Sequence, residues 1–280
     1  MTRTLSEVER NRAGEQTGWP LSIPKPATRA FCGIPIAAMT MRQVLQLVDE
    51  VIGGRGRLQI GVVNAAKVVN MRRNELLRED VLSSDVILAD GISVVWACRL
   101  LGQPLPERVA GIDLFMEILR AGNARGYRVY CLGASQEVLD LVVARIAADF
   151  PGVKLVGAHH GYFGAGEEAE IAAEIEAARP DVLFVAMTSP KKEKFIARWS
   201  QQMDVRVCHG VGGSFDVFAG KVERAPQAWQ RLGMEWLYRL VQEPRRLLRR
   251  YLVTNTLFCL MVLREFFRPE RQSGMASHRS

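Results

Sequence analysis

Between residues 34 and 210 the chain alternates two textures, and that alternation restricts the folds open to it. Six apolar runs of strand length stand there: LQIGVV (58–63), DVILA (85–89), RVYCLG (128–133), VKLVGA (153–158), DVLFVAM (181–187) and VRVCHG (205–210). Their interiors are almost continuously apolar, as strands covered on both faces must be. The segments between them have helical length and period, and predict helices over 40–52, 65–79, 91–101, 112–125, 135–149, 166–178 and 190–203. Strand and helix in this order imply an α/β fold, a Rossmann-like, doubly wound, mostly parallel sheet.

In such a sheet the ligand binds beyond the carboxyl ends of the strands. The residues that follow the six runs are Asn64, Asp90-Gly91, Gly133-Ala134-Ser135, HHGYFG (159–164), TSPKKE (188–193) and GVGGSFD (210–216). Glycine and polar residues therefore collect on one rim, and element order alone locates a site there. Asp90 lies between the strand Val86-Ile87-Leu88 and the apolar face Ile92, Val94, Val95 and Trp96 of the next helix. Two readings are open for it. It can cap that helix, a favoured place for aspartate, or it can act as a general base on an attacking hydroxyl. The turn at Gly133 can offer amides to phosphate, although it is not G-x-G-x-x-G and lacks the P-loop lysine. Gly213 allows close backbone approach, and Asp216 can bind a sugar or ribose hydroxyl. Pro190 and Glu193 suit the start of a helix. Lys191 and Lys192 in that first turn oppose the helix dipole, which points to an anion nearby. His159 and His160 lack ligand spacing, and Cys32, Cys98, Cys131, Cys208 and Cys259 are scattered, as reduced thiols would be. No metal and no cofactor are expected.

Charge is placed unevenly. After Lys221 there are eleven arginines, five glutamates and neither lysine nor aspartate, so +6 of the net +7 belongs to this stretch. A local basic segment implies a local anionic partner, a membrane surface or a phosphate group, rather than nucleic acid. Projected on a helix, Arg245, Arg249, Arg246 and Arg250 fall at roughly 0, 40, 100 and 140°, and Leu247, Tyr251, Leu248 and Leu252 at roughly 200, 240, 300 and 340°. Such separation suits an interfacial helix or a surface helix packed on its own domain. The apolar run TLFCLMVL is too short to span a bilayer. The expected organisation is a disordered leader over 1–30 without a signal peptide, a catalytic core over 31–225, a membrane-associating appendage over 226–267 and a flexible tail over 268–280.

Six ordered stretches carry a resemblance: NAAKVV (64–69), SSDVILADGISVVWA (83–97), RVAGIDL (108–114), SPKKEKF (189–195), GVGGSFDVFAGKVERAP (210–226) and EWLYRLVQEPRRLLRRY (235–251). Together they resemble the WecG/TagA/CpsF glycosyltransferase family. The resemblance implies an inverting, metal-independent transferase with a Rossmann-like core. It implies a UDP-sugar donor, a polyprenyl-diphosphate-linked sugar acceptor, and peripheral attachment at the cytoplasmic face of the membrane in bacterial exopolysaccharide or cell-surface glycan synthesis. By motif, Asp90 matches the catalytic base. Asn64 and Arg108 match positions near the donor sugar and nucleotide, and Arg239, Arg246 and Arg249 match appendage arginines that contact diphosphate. Where the family often has Thr-x-Asn-x-Glu and Pro-Lys-Gln-Glu, this chain has Val62, Asn64 and Ala66, and Lys192 before Glu193. These departures lie near the donor sugar in the resemblance, and they leave both a hexose and an N-acetylhexosamine open. The apolar appendage also allows self-association into a homo-oligomer. A nucleotide-dependent oxidoreductase on the same sheet would want G-x-G-x-x-G after the first strand, where Asn64-Ala65-Ala66 stands. A membrane adaptor that holds a nucleotide without catalysis is the remaining rival.

Overall fold

The computed structural model describes residues 24–54, 56–231, 233–242 and 244–267; within these, nothing is described of the side chains of Gln227, Arg231, Arg239, Arg246, Leu247, Arg249 and Arg250. Six strands form one fully parallel sheet: β3 (Leu58–Val63), β4 (Val86–Ala89), β5 (Arg128–Gly133), β6 (Lys154–His159), β7 (Val182–Ala186) and β8 (Val207–Gly210). The spatial order is β4-β3-β8-β7-β5-β6. Each expected run is a strand, within two residues at either end; β4, β5, β7 and β8 are almost wholly buried, as parallel strands covered on both faces are, and the edge strand β6 is only partly so.

The helices cover both faces. On one side α1 (Met41–Gly53), α5 (Gly111–Arg125), α6 (Gln136–Asp149) and the short α9 (Ser214–Phe218) bury Phe115, Ile118, Val142 and Phe215 against alternate residues of the strands. On the other, α7 (Glu168–Ala178) and α8 (Lys191–Met203) cover β5, β7 and β8. Beside them α2 (Ala65–Arg73), α3 (Glu75–Leu82) and α4 (Ile92–Leu100) cover β3 and β4.

Two local features differ from expectation. The single helix expected over 65–79 is broken at Asn74, whose side chain accepts from Leu77 N–H at 3.0 Å and so starts α3. Residues 1–23 of the leader expected through residue 30 lie outside the described residues, and residues 28–30 instead belong to β1 (Thr28–Phe31), an antiparallel hairpin strand with β2 (Ile34–Ala37). Cys32 and Gly33, at φ 50° and 72°, make its two-residue turn, with the positive φ at both positions that a type I′ hairpin needs. Phe31, Ile34 and Ile36 are buried, so the hairpin belongs to the core.

The appendage comprises α10 (Gln227–Arg231), α11 (Glu235–Gln242) and α12 (Pro244–Phe266). Helix α12 is not wholly interfacial. Thr254, Phe258 and Val262 are buried, α12 packs on α2, and the Phe258 and Phe31 rings are 5.7 Å apart. The opposite side leaves Leu248, Leu252, Val253, Leu260, Leu263 and Phe266 exposed, all within an arc of about 140°. The packed reading holds for one face of α12, and the other face is an apolar stripe directed outward.

Candidate active site

All six sheet strands run in one direction, so the rim residues stand at one edge of the sheet. Strand β4 ends at Ala89, and the Asp90 and Gly91 amides turn back to Val63 O of β3, at 3.0 and 3.5 Å. The segment before α5 returns beside the same end, with Val109 N–H on Ala89 O at 3.1 Å. Asp90 therefore lies between the start of α2 and the start of α5.

The aspartate is a cap, but not of the helix it precedes. Gly91 is the N-cap of α4 and no side chain caps that helix. Asp90 Oδ1 instead accepts from Gly111 N–H, at 2.8 Å, across 21 residues of sequence. Gly111 opens α5, whose own N-cap Ala110 has no side chain able to do this, so the carboxylate meets an orphan amide and the positive end of the dipole. Asn64 does two things at the start of α2. Its Oδ1 accepts from Lys67 N–H at 3.0 Å, and its Nδ2 faces Asp90 Oδ2 at 3.5 Å. At that length the second contact is weak. Oδ1 is thus occupied, while Oδ2 of this half-buried side chain keeps acceptor capacity.

Next to this lies a buried ionic cluster. Lys67 Nζ is 2.7 Å from Glu193 Oε1, and Lys192 Nζ is 3.5 Å from the same oxygen. Burial alone would raise the Glu193 carboxyl; the two ammonium groups outweigh it and bring it down to about 2. Burial and the Lys67 charge pull Lys192 down to about 8. Glu193 Oε2 is buried without a hydrogen-bond partner. A cavity of about 20 Å³, room for a single water, opens on this cluster between Gln59, Ser84 and Asp80. Gly210 shows why glycine ends β8: a Cβ there would stand 2.9 Å from the Lys192 stem. Lys191, by contrast, donates to the carbonyls of Gly161 and Phe163 at 3.0 and 2.6 Å and lies over the Phe163 ring. The anion expected beside the two lysines is Glu193 for Lys192, and carbonyl oxygens serve Lys191.

Arg108 joins core and appendage. Its guanidinium is 3.0 Å from Glu235, the first residue of α11, and 3.7 Å from Asp113 of α5; Arg224 reaches Asp113 at 2.6 Å. One residue before Met234, Gly233 at φ 69° lies so close to Ile92 that a Cβ would stand 2.4 Å from its methyl. The appendage thus touches the core two residues beyond Asp90.

The other expected residues fall into place differently. Gly133 is explained by strand packing, since a Cβ would stand 2.5 Å from the Ala186 backbone. Ser135 caps α6. Gly213 is the exposed N-cap of α9, and Asp216 in its first turn accepts through its carbonyl from Lys221 and Val222. His159 Nδ1 faces the His160 carbonyl and His160 Nδ1 accepts from Tyr162 N–H, so both stitch one loop. The backbones of Arg239, Arg246 and Arg249 lie on α11 and α12, and their side chains fall outside the described residues. Sequence reasoning missed Gly111, Lys67, Glu235 and the buried His209. Lys67, Gly111 and Glu235 each stand in a quoted stretch, NAAKVV, RVAGIDL and EWLYRLVQEPRRLLRRY, and only His209 had no such signal.

The profile of the glycosyl transferase WecG/TagA/CpsF family matches residues 29–272. A protein of Bacillus spizizenii named N-acetylglucosaminyldiphosphoundecaprenol N-acetyl-beta-D-mannosaminyltransferase is 43% identical over 169 residues, 60% of this chain and 65% of that protein. A protein of Bacillus subtilis with the same name is 41% identical over 187 residues, 66% of this chain and 72% of its own length. A family match that runs from β1 through the whole appendage includes every element of the site described above, and the chain belongs to the WecG/TagA/CpsF family of glycosyltransferases.

Proposed function

We propose that the chain transfers a hexose or N-acetylhexosamine from a UDP-sugar to a polyprenyl-diphosphate-linked sugar, with inversion and without a metal, in bacterial surface-glycan or exopolysaccharide synthesis. The relatives' names support the acceptor class. The observation that carries the mechanism is the division of labour within Asp90: Oδ1 is held by Gly111 N–H while Oδ2 is left to accept. In the reaction Oδ2 takes the proton of the acceptor hydroxyl. The resulting oxygen bonds to the anomeric carbon as the bond to the UDP phosphate oxygen breaks, and that electron pair leaves with UDP. Arginine suits the departing diphosphate; Arg108 and the appendage residues Arg239, Arg246 and Arg249 take that part in this reading. The exposed stripe of α12 supports attachment to the cytoplasmic face of the membrane as a peripheral protein.

Asp90→Asn is the decisive variant, because its amide oxygen can still accept from Gly111 N–H while the base is lost. Turnover, read as UDP release with a lipid-linked acceptor, should fall by about 10²–10⁴-fold with Tm unchanged. Turnover near that of the wild type would remove Asp90 as base.

A further inference from the structure

A fully buried histidine lies behind Asp90, unused by the chemistry above. His209, in β8, is 0% exposed, and its Nε2 is 3.1 Å from Gly111 O. A carbonyl only accepts, so Nε2 carries the proton and donates. Gly111 is therefore gripped at both ends: the imidazole holds its carbonyl, and its own N–H holds Asp90 Oδ1 at 2.8 Å. Burial, reinforced by the Lys192 charge, lowers the imidazole to about 4, although the Gly111 bond opposes this. The ring stays neutral near pH 7 and the donor persists. Its Nδ1 has no hydrogen-bond partner by geometry, although the paired Ile60 backbone of β3 lies near enough to favour the protonated ring slightly. An apolar side chain of similar volume would suit that place better on stability alone. The polarity is used at Gly111.

We propose that His209 is a positioning residue for glycosyl transfer: its Nε2–H fixes Gly111 at the start of α5, so that the Gly111 amide holds Asp90 Oδ1 and presents Oδ2 to the acceptor hydroxyl. The inference rests on the reading of Asp90 as base. It concerns a residue that touches neither substrate nor reacting atom, and it acts through one intervening backbone group.

His209→Met fills the space without a donor, and His209→Gln restores one. Each is made in the full chain, alone and with Asp90→Asn, and Tm, kcat and KM are measured. His209→Met should keep its Tm and its KM while kcat falls about 10- to 100-fold. His209→Gln should recover most of kcat. In the Asp90→Asn background His209→Met should cost nothing further. An unchanged kcat, or an equal loss in both backgrounds, would overturn the proposal. If His209→Met does not fold, His209→Gln decides: wild-type kcat upholds the proposal, and a large loss at normal Tm overturns it. Failure of the base reading is distinct, since Asp90→Asn alone would then keep its turnover.

Discussion

Two buried side chains at the site are shifted in the same direction by different causes, Glu193 against its burial, by the lysine charges, and His209 by burial itself. Glu193 has a carboxyl lowered to about 2 from 4.5, so its contribution to stability is present above about 4.5 and is lost as pH falls towards 2. His209, lowered to about 4 from 6.5, takes a proton in the unfolded chain first, so stability falls as pH drops from 6.5 to 4. Acid should therefore weaken the fold in two successive windows. Melting curves across pH should show His209→Met flattening the upper window and Glu193→Gln the lower. Glu193→Gln also leaves the Lys67 and Lys192 ammonium groups buried without a counter-charge, at a cost of about 3–5 kcal/mol in ΔG of unfolding by urea titration. Asp90 was visible in the sequence as an interruption between strand and helix. What it caps was not visible, because Gly111 is a tertiary neighbour and no local pattern reports that. His209 was invisible for a related reason: in a run such as VRVCHG a histidine carries no mark of depth or of the carbonyl it meets.

The joint between core and appendage rests on contacts among short elements. Glu235 at the start of α11 pairs with Arg108, and Gly233 fits against Ile92 only because it has no Cβ. Gly233→Ala meets both that contact and a positive φ, which costs about 1–2 kcal/mol by itself. The expected outcome is faster proteolytic cleavage between 225 and 245 and lower turnover, with the melting of the core little changed. An unaltered cleavage rate would show that the joint does not depend on this approach. Element by element the sequence was a good guide where the signal was period or continuous apolarity. It was poor where a single polar side chain decided the outcome, as Asn74 does by capping α3 from the middle of an apparent helix. The hairpin β1–β2 is four residues a side and carries Pro35, too short for a period to emerge.

At the scale of the whole molecule, α12 cannot be removed as a detachable anchor. Truncation at 239 would strip Phe258 and Val262 from a core shared with β1, β2, α2 and α4. Loss of activity in that truncation therefore says nothing by itself about a membrane. Substitution separates the two roles. Phe258→Ala should cost about 3–5 kcal/mol of stability. Leu252→Asp with Leu260→Asp and Leu263→Asp, on the exposed arc, should leave Tm within a few degrees and abolish co-sedimentation with anionic vesicles. Retained co-sedimentation of the triple variant would remove the stripe from the account of attachment. That 244–266 is helical agrees with the projection of 245–252, whose face separation rests partly on side chains outside the described residues; the burial of the other end of the same helix was not legible, because it packs against α2 and the hairpin ring Phe31.

Helix α2 stands between the appendage and the site. One flank bears the weight of α12, and its leading end is capped by Asn64, which faces the free oxygen of Asp90. Nine helical residues make a stiff rod about 13 Å long. Helix α12 packs along α2, and α2 opens at the residue that faces Asp90, so the outward-facing helix and the carboxylate are joined through a single nine-residue rod.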